Sequence, residues 1–375
     1  MGVFDDSITT FLGVIKQYID DDTVSDVLVN GPNEVFIERA GLLQKVPAQF
    51  KDEQALQAAV RNIAQYVGRI VDDENPILDA RLPDGSRVAA VLPPCSRKGT
   101  TLAIRKFQKG IPNFVDLIKV GSITKDAARF LDVCVYLGKN ILVSGGTGSG
   151  KTTLLNILGT RVPSQQRLVI IEDASELKVH IDHVVYFETK SSDAMGKGEV
   201  TTRDLMRAAL RLRPDRIILG EVRSEEAMDL ITAMNTGHNG SMGTIHANSP
   251  FDSLVRLEVL AMIGETRVPV VAVRRQIVSA IHIVVQIQRM SDGTRKITNV
   301  SEVLPEIDDR GHYFLKSIYK FIQKGKTPEG KVVGELIPTG HIPGMIVEME
   351  INQIPFPKDK FTPPDWYVET QKKAA

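Results

Sequence analysis

The chain of 375 residues has few cysteines, no long apolar run and no excess of charge, and each shortage argues against a class of protein. Its two cysteines, Cys95 and Cys134, lie far apart, which argues against a disulfide scaffold and against a zinc site and favours a reducing compartment. The longest apolar stretches, such as 277–287, are interrupted by polar residues and are too short to span a bilayer. We therefore expect a cytoplasmic protein that reaches a membrane only through a partner.

Charge and composition narrow the class further. Basic and acidic residues number 46 each, so no overall positive field draws the chain to nucleic acid, and nucleic acid is not an expected partner. Met1 opens an acidic segment with Asp5 and Asp6, so we expect no signal peptide. With 42% apolar and 25% charged residues the composition is that of a globular protein. The length allows about two to three domains.

The first part of the chain has the patterns of a small mixed domain. Two strand-like runs lie between 24 and 38, a helical stripe follows at 52–66, and a hairpin is centred on Asp84-Gly85. Asp-Gly is a strong hairpin signal because a tight turn needs positive φ angles. The sequence predicts an α+β domain with an antiparallel sheet over residues 1–110.

The second part of the chain has a different pattern of strands and helices from the first. After a linker predicted at 111–120, short apolar strands alternate with helices up to residue 290, which predicts a parallel sheet covered by helices over 121–290. Past this point the pattern changes to a hairpin around Asp292-Gly293, followed by a proline-rich end of mixed charge. We predict a C-terminal hairpin and an extended tail over 291–375.

A phosphate-binding pattern follows the first strand of the second part. The glycine-rich stretch after 141–144 fits G-x-x-x-x-G-K-[ST] in the required strand–loop–helix context. Its backbone N–H groups and the following helix start can hold phosphates, Lys151 would reach the β- and γ-phosphates, and the Thr152 hydroxyl would ligate Mg²⁺. A ligand-free turn and a dinucleotide-binding loop are the alternatives. The predicted binding residues are Gly145, Gly146, Thr147, Gly148, Ser149, Gly150, Lys151, Thr152 and Thr153.

Acidic and histidine side chains follow later strands of the same sheet. Glu172 comes directly after the apolar run 168–171, and Glu221 follows the run 217–219. Because the carboxyl ends of parallel strands form the ligand-binding edge of an open sheet, two carboxylates there can position Mg²⁺ and polarise an attacking water. His246 ends a further strand and should face the same edge. For each residue alone, a helix cap, a surface charge or a core histidine is the alternative.

Arginines recur on one helix of the second part. Arg203, Arg207 and Arg211 repeat every four residues on a helix that begins at Thr202. Such a stripe is either a solvated face or a set of charges offered to a neighbouring subunit or its nucleotide.

Three further arginines lie in the first domain. Arg81 and Arg87 bracket the Asp84-Gly85 turn, and Arg105 ends the next strand. Arginines on rigid hairpins suit a bidentate grip on phosphate, although spacing alone does not bring them to the phosphate loop.

Four ordered sequence boxes resemble those of the secretion-superfamily ATPases. They are SGGTGSGKTTLL at 144–155 (Walker A), IEDASEL at 171–177 (aspartate box), RLRPDRIILGEVR at 211–223 (Walker B region) and MNTGHNGSMGTIHAN at 234–248 (histidine box). The resemblance runs from about Ser25 to about Arg295. It is greatest to the tight-adherence (Flp-type) pilus ATPases, which are neighbours of the VirB11-like type IV secretion ATPases.

The resemblance implies roles for single residues. Glu221 would be the catalytic glutamate that activates water, with Gly220 where many P-loop proteins have an aspartate. Glu172 would be the acid near Mg²⁺, and His246, less surely His238, would sense the γ-phosphate. The residues that would close the first domain onto the nucleotide are Arg81, Arg87 and Arg105.

The resemblance also implies an architecture and a function. It implies an α/β, RecA-like P-loop NTPase C-terminal domain and a smaller α+β N-terminal domain with a PAS-like sheet, joined by a flexible linker. Such subunits form homo-hexamers that use ATP and Mg²⁺ to drive pilus assembly or protein secretion, docked on a platform protein at the cytoplasmic face of the inner membrane. Many tight-adherence ATPases have a helical domain before the region near Ser25, where this chain has one short helix. A DNA-translocating RecA-like ATPase and a non-hydrolysing nucleotide-dependent scaffold are the alternatives.

Overall fold

The computed structural model describes residues 11–82, 84–106, 112–190, 192, 197–263 and 268–374. The chain divides into two compact units, Met1–Gly110 and Ile111–Ala375. Within the described residues, no helix is both long enough and apolar enough to cross a bilayer.

The described part of the first unit contains a six-stranded antiparallel sheet and two helices. The strands are ordered β3-β2-β1-β6-β5-β4. Helix α2 begins where the Asp52 side chain accepts a hydrogen bond from Ala55 N, and its stripe of Leu56, Val60 and Ile63 is buried. The described elements are α1 (Gly13–Asp20), β1 (Val24–Asn30), β2 (Val35–Arg39), β3 (Leu42–Val46), α2 (Glu53–Tyr66), β4 (Ile77–Arg81), β5 (Arg87–Val91) and β6 (Thr101–Arg105).

The second unit is built on a nine-stranded sheet ordered β15-β14-β13-β12-β7-β11-β10-β8-β9. The first half of its chain contributes α3 (Phe114–Lys119), α4 (Lys125–Tyr136), β7 (Ile141–Gly145), α5 (Lys151–Gly159), β8 (Leu168–Glu172), β9 (Val184–Glu188), α6 (Thr202–Ala209), β10 (Arg216–Leu219), α7 (Glu226–Asn235) and β11 (Met242–Ile245). The second half contributes α8 (Pro250–Ile263), α9 (Val270–Ala280), β12 (Ile283–Arg289), β13 (Arg295–Ile307), β14 (Tyr313–Lys326), β15 (Val332–Pro338), α10 (Ile346–Ile351), a 3₁₀ turn (Lys358–Phe361) and α11 (Asp365–Ala374).

The central strands of this sheet are parallel and covered on both faces. Every residue of β7, β8, β10 and β11 is buried, which explains their continuous apolar sequences. Alternate residues point to two cores, as Val143 packs with Leu154 on one face and Leu142 packs with Leu230 on the other. This sheet places the ends of β7, β8, β10 and β11 along one edge.

The end of the chain differs from the sequence-based expectation for 291–375. The predicted hairpin at Asp292-Gly293 is present, because β12 and β13 pair as antiparallel strands around it. It is not a separate segment, since β13–β15 continue the main sheet as antiparallel strands, and the residues after them do not form an extended tail. Beyond them, Phe356 and Phe361 are buried against Phe130, with ring centroids 6.0 and 5.9 Å apart. The tail folds back because its aromatic side chains bury apolar surface on α4.

The segment predicted as a linker, 111–120, also contains regular structure. Helix α3 occupies Phe114–Lys119, and a capping box at Asn113 and Asp116 starts it. Reciprocal side-chain bonds to backbone N–H groups stabilise such a short helix.

Candidate nucleotide-binding site

The glycine-rich loop between β7 and α5 has the backbone of a phosphate cradle. Gly148 and Gly150 have φ angles of 67° and 99°, in the left-handed region that favours glycine. A Cβ on Gly145 would lie 2.3 Å from Ile287 O, so β12 leaves no room for a side chain there. Strand β7 therefore delivers a tight loop whose far end is the N-terminus of α5, the position that suits an anion.

Lys151 lies inside this loop and not on the surface. Its side chain is only 6% exposed, and Nζ donates to Gly146 O at 3.0 Å. Ser149 Oγ donates to the same carbonyl at 2.8 Å. The loop thus gathers a cation and a hydroxyl beside the helix N-terminus, which is the chemistry that polyphosphate binding needs.

A histidine connects the loop to the carboxylate that follows β10. Lys151 Nζ lies 3.4 Å from His246 Nδ1, and His246 Nε2 lies 2.9 Å from Glu221 Oε1. Burial and the neighbouring Lys151 charge lower the pKa of His246, so the ring is neutral at neutral pH. A neutral ring with its proton on Nε2 can donate to Glu221 and accept from Lys151. The structure therefore brings Lys151, His246 and Glu221 into one site.

Arg223 holds the other oxygen of Glu221. Arg223 Nη2 donates to Glu221 Oε2 at 2.8 Å, while its Nη1 donates to Asp173 Oδ2 at 2.7 Å. Asp173 Oδ1 in turn accepts from Thr202 Oγ1 at 3.0 Å, at the start of α6. Arg223 and Asp173 were not among the predicted site residues. The available signal was a charged side chain shortly after a strand end, one residue after β8 for Asp173 and four residues after β10 for Arg223.

Glu172 lies at the predicted strand end but faces its own loop. It is 4% exposed, and its carboxylate accepts from the backbone N–H groups of Glu176 (3.0 Å) and Leu177 (3.1 Å). A Cβ on Gly220 would lie 2.9 Å from Glu172 Cγ, which gives a steric reason for glycine at that Walker B position. Burial outweighs these hydrogen bonds and raises the pKa of Glu172 to about 7.

Of the two predicted Mg²⁺ ligands, Thr152 is better placed than Glu172. Thr152 lies half-buried in the first turn of α5, directly after Lys151, where a hydroxyl can serve as a ligand beside the phosphates. Glu172 anchors a loop with its carboxylate, so its fit as a ligand depends on the lone pairs that the two backbone N–H groups leave. Thr153, in the same turn, is also half-buried.

The loop has further neighbours that sequence patterns did not indicate. Arg295 Nε donates to Gly148 O at 2.9 Å, and Arg289 Nη1 lies 3.6 Å from the position of a Cβ on Gly148. Both arginines belong to the β12–β13 hairpin, more than 130 residues after the loop in sequence. No local pattern pairs residues so far apart.

His238, the lesser histidine candidate, has a structural contact. Its ring Nδ1 lies 3.2 Å from Ala233 O, and its backbone N donates to the same carbonyl at 3.2 Å. His238 therefore closes the end of α7.

The arginine stripe predicted for one helix is not a single face. Arg203 is paired within the chain, with Glu225 at 2.5 Å and Asp229 at 3.0 Å, and its side chain is 16% exposed. Arg207 is 56% exposed and lies 3.9 Å from Asp229. Arg211 lies beyond α6, which ends at Ala209. The residue before Pro214 avoids the helical region, and Arg213 has a φ of 55°. Of the three, Arg203 joins α6 to α7.

The arginines of the first unit form a row on its sheet. Arg81 pairs with Arg87 across β4 and β5, and Arg87 pairs with Arg105 across β5 and β6. Residues in register share a face, so three cations lie side by side on the face opposite the buried Val88 and Ile104. Arg105 Nε is 3.2 Å from Asp26 Oδ1 on β1. Such a row is suited to an anionic ligand.

The chain is similar in sequence to a known protein family and to several of its members. Residues 10–316 match the family described as Type II/IV secretion system protein. A putative conjugal transfer protein of Mycobacterium tuberculosis is 35% identical over 307 residues, which cover 80% of this chain and 86% of the relative. The type IV secretion system protein VirB11 of Brucella suis is 31% identical over 325 residues, which cover 79% of this chain and 90% of the relative.

Solved structures support the fold. The Legionella pneumophila ATPase DotB superposes with a TM-score of 0.56 at 19% identity, covering 80% of this chain and 82% of that one. The pilus retraction motor PilT with bound ADP superposes with a TM-score of 0.53 at 21% identity, covering 92% of this chain and 87% of that one. The predicted α/β fold class is confirmed. The closer relation to tight-adherence ATPases stays a prediction.

Proposed function

This chain belongs to the type II/IV secretion system protein family and is a motor ATPase of the secretion superfamily, and we propose that it works as a homo-hexamer on an inner-membrane platform protein. In this proposal it lies at the cytoplasmic face of the membrane and drives pilus assembly or protein secretion. The printed names of its relatives, a conjugal transfer protein and a type IV secretion system protein, support a transport machine as the setting.

One observation carries the enzymatic part of the proposal. The phosphate-binding Lys151 and the carboxylate of Glu221 both contact one histidine, at 3.4 and 2.9 Å. A γ-phosphate held by Lys151 would therefore lie within reach of a group that orients water. Phosphoryl transfer depends mainly on such positioning and on charge stabilisation.

The proposed residue roles follow from these contacts. The loop 145–150 and Lys151 bind the phosphates, Glu221 orients the attacking water, and His246 links the phosphate side to Glu221. Mg²⁺, held by Thr152 with Glu172 nearby, would neutralise charge on the β- and γ-phosphates. The arginine row of Arg81, Arg87 and Arg105 would contact the γ-phosphate during the motor cycle, and its differential affinity for ATP over ADP would supply the conformational stroke.

Phosphate release from Mg²⁺-ATP by the purified protein tests this function. We expect steady turnover by the wild type and loss of nucleotide binding or turnover in Lys151→Ala, because the ammonium is the cation inside the loop. Lys139→Ala is a matched control, because that lysine pairs with Glu348 away from the loop. Wild-type turnover by Lys151→Ala would contradict the proposal.

A further inference from the structure

Strand β13 begins with a residue that contacts the phosphate loop. Arg295 donates from Nε to Gly148 O at 2.9 Å, and its Cδ lies 3.3 Å from the position of a Cβ on Gly150. The guanidinium group and its aliphatic stem thus rest on the backbone of two loop glycines. Arg295 lies outside the four sequence boxes.

The bond to Gly148 O acts on the donor side of the same peptide. In a trans peptide, the C=O of Gly148 and the N–H of Ser149 point in opposite directions. A cation on the carbonyl polarises the peptide and strengthens the N–H as a donor. Because phosphate loops bind through backbone N–H groups, Arg295 both fixes this peptide plane and favours phosphate binding.

The backbone around Arg295 is held by the turn that follows α3. Ser122 Oγ donates to Arg295 O at 2.6 Å, and Ile297 N donates to Ser122 O at 2.9 Å. Lys296 Nζ donates to Gly121 O at 2.7 Å. Ser122 is buried. These hydrogen bonds join the turn to the first three residues of β13.

The turn lies close to the boundary between the two units. The boundary falls at Gly110, and α3 with its turn is the first secondary structure described after it. A path of two contacts leads from this segment to the phosphate loop, through Ser122 to the backbone of Arg295 and through the Arg295 side chain to Gly148. Both contacts lie within the second unit.

We propose that Arg295 is a positioning residue for the phosphate loop, and that its bonds to the Ser122 turn couple nucleotide binding to the segment leading out of the first unit. This inference rests on the nucleotide-binding function proposed above. A ligand that orders the loop also orders Arg295 and the turn. By linkage, a displacement of the turn lowers nucleotide affinity by the same coupling free energy.

Binding of Mg²⁺-ADP, measured by calorimetry on the full chain, tests the first half. Arg295→Met keeps the aliphatic stem beside Gly150 and removes the charge and the N–H donor, so we expect ADP to bind about 5- to 20-fold more weakly. Ser122→Ala removes only the bond to Arg295 O, and we expect a loss of about 2- to 5-fold. Lys320→Gln is the control, since it removes an exposed cation from β14, three strands away from β7 and its loop, and should bind as the wild type does.

Hydrogen exchange over 114–122 tests the coupling. We expect ADP to slow exchange there in the wild type, and the effect to shrink in both Arg295→Met and Ser122→Ala at unchanged Tm. Wild-type ADP affinity in Ser122→Ala, or exchange over 114–122 that ADP leaves unchanged in the wild type, would overturn the inference. Failure of the wild type to bind ADP would instead refute the proposed function, so the two failures are distinct.

Discussion

At the scale of single residues, the charge state of Glu221 is set by its neighbours. Burial opposes its ionisation, but the hydrogen bond and charge of Arg223, together with the charge of Lys151, outweigh burial and lower its pKa. The carboxylate is therefore ionised at neutral pH and is held at both oxygens. A fixed, charged acceptor of this kind orients water more effectively than a mobile one.

The first prediction concerns this carboxylate. Glu221→Gln keeps the shape and loses the charge, so we expect kcat for ATP hydrolysis to fall by about 10²- to 10⁴-fold while ATP affinity changes little. Single-turnover phosphate release and nucleotide binding measure the two effects separately. Glu225→Gln changes a nearby carboxylate that faces Arg203 and should keep most of the turnover. Near-normal turnover by Glu221→Gln would remove Glu221 from the mechanism.

Glu172 should make the free energy of unfolding depend on pH. Its pKa is raised from 4.5 to about 7, so the unfolded chain loses this proton first as the pH rises. The stabilising contribution is complete below pH 4.5 and is lost as the pH rises through about 7.

Glu172→Gln removes this loss because the amide stays neutral and its oxygen can still accept from Glu176 and Leu177. We expect the variant to match the wild type near pH 4.5 and to exceed its stability above pH 7, by on the order of 3 kcal/mol. Thermal unfolding between pH 4.5 and 8 without nucleotide is the measurement. A difference that does not vary with pH would show that Glu172 is ionised throughout.

At the scale of elements, Arg203 joins two helices beside the site. It bridges α6 to Glu225 and Asp229 at the start of α7. We expect Arg203→Gln to lower the free energy of unfolding by about 1–3 kcal/mol, because two partly buried carboxylates lose their cation. Arg207→Gln is the matched control on the same helix and should cost less than about 0.5 kcal/mol.

Urea unfolding of both variants, with the oligomeric state measured in parallel, distinguishes the two interpretations of this helix. Equal stability losses would contradict the intramolecular role of Arg203. Dissociation of an oligomer by Arg203→Gln without loss of stability would restore its predicted role between subunits.

The elements that sequence predicted correctly are those with local signals. The glycine loop between β7 and α5 could be predicted because its strand, its glycines and Lys151 follow one another within a dozen residues. The stripe of α2 could be predicted because it repeats every three to four residues. The end of α6 was missed because the four-residue spacing of the arginines continues past Ala209, where the helix ends, although Pro214 disfavours a helical Arg213.

Contacts between distant parts of the chain could not be predicted from such signals. The contact of Arg295 with Gly148 depends on β12 pairing with β7, which places Ile287 beside Gly145. The joining of β13–β15 to the main sheet depends likewise on β12. The backbone N–H and C=O groups of β12 that face away from β7 need hydrogen-bond partners, and β13 supplies them. Hydrophobic pattern and spacing within a window carry no information about either pairing.

At the scale of the whole molecule, the first unit presents a row of three cations on one face of its sheet. Arg81, Arg87 and Arg105 lie in register on adjacent strands, where like charges repel, and Asp26 beside Arg105 offsets part of that repulsion. Binding of an anion would relieve that repulsion. In the proposed motor cycle, this row would be the phosphate-binding surface of the first unit.

The last prediction tests that role in the intact protein. Arg87 is the middle member of the row, so Arg87→Gln should lower kcat for ATP by about 10- to 100-fold, through loss of a charge-assisted contact to the γ-phosphate, while ADP binding stays near the wild-type value. Lys45→Gln removes an exposed cation from β3, at the other edge of the same sheet, and should leave both quantities unchanged. Steady-state hydrolysis and ADP calorimetry give the two readouts. Equal weakening of ATP turnover and ADP affinity would assign Arg87 to general nucleotide binding. No effect on either quantity would show that the first unit takes no part in ATP hydrolysis, because a row of arginines that never contacts the γ-phosphate cannot distinguish ATP from ADP.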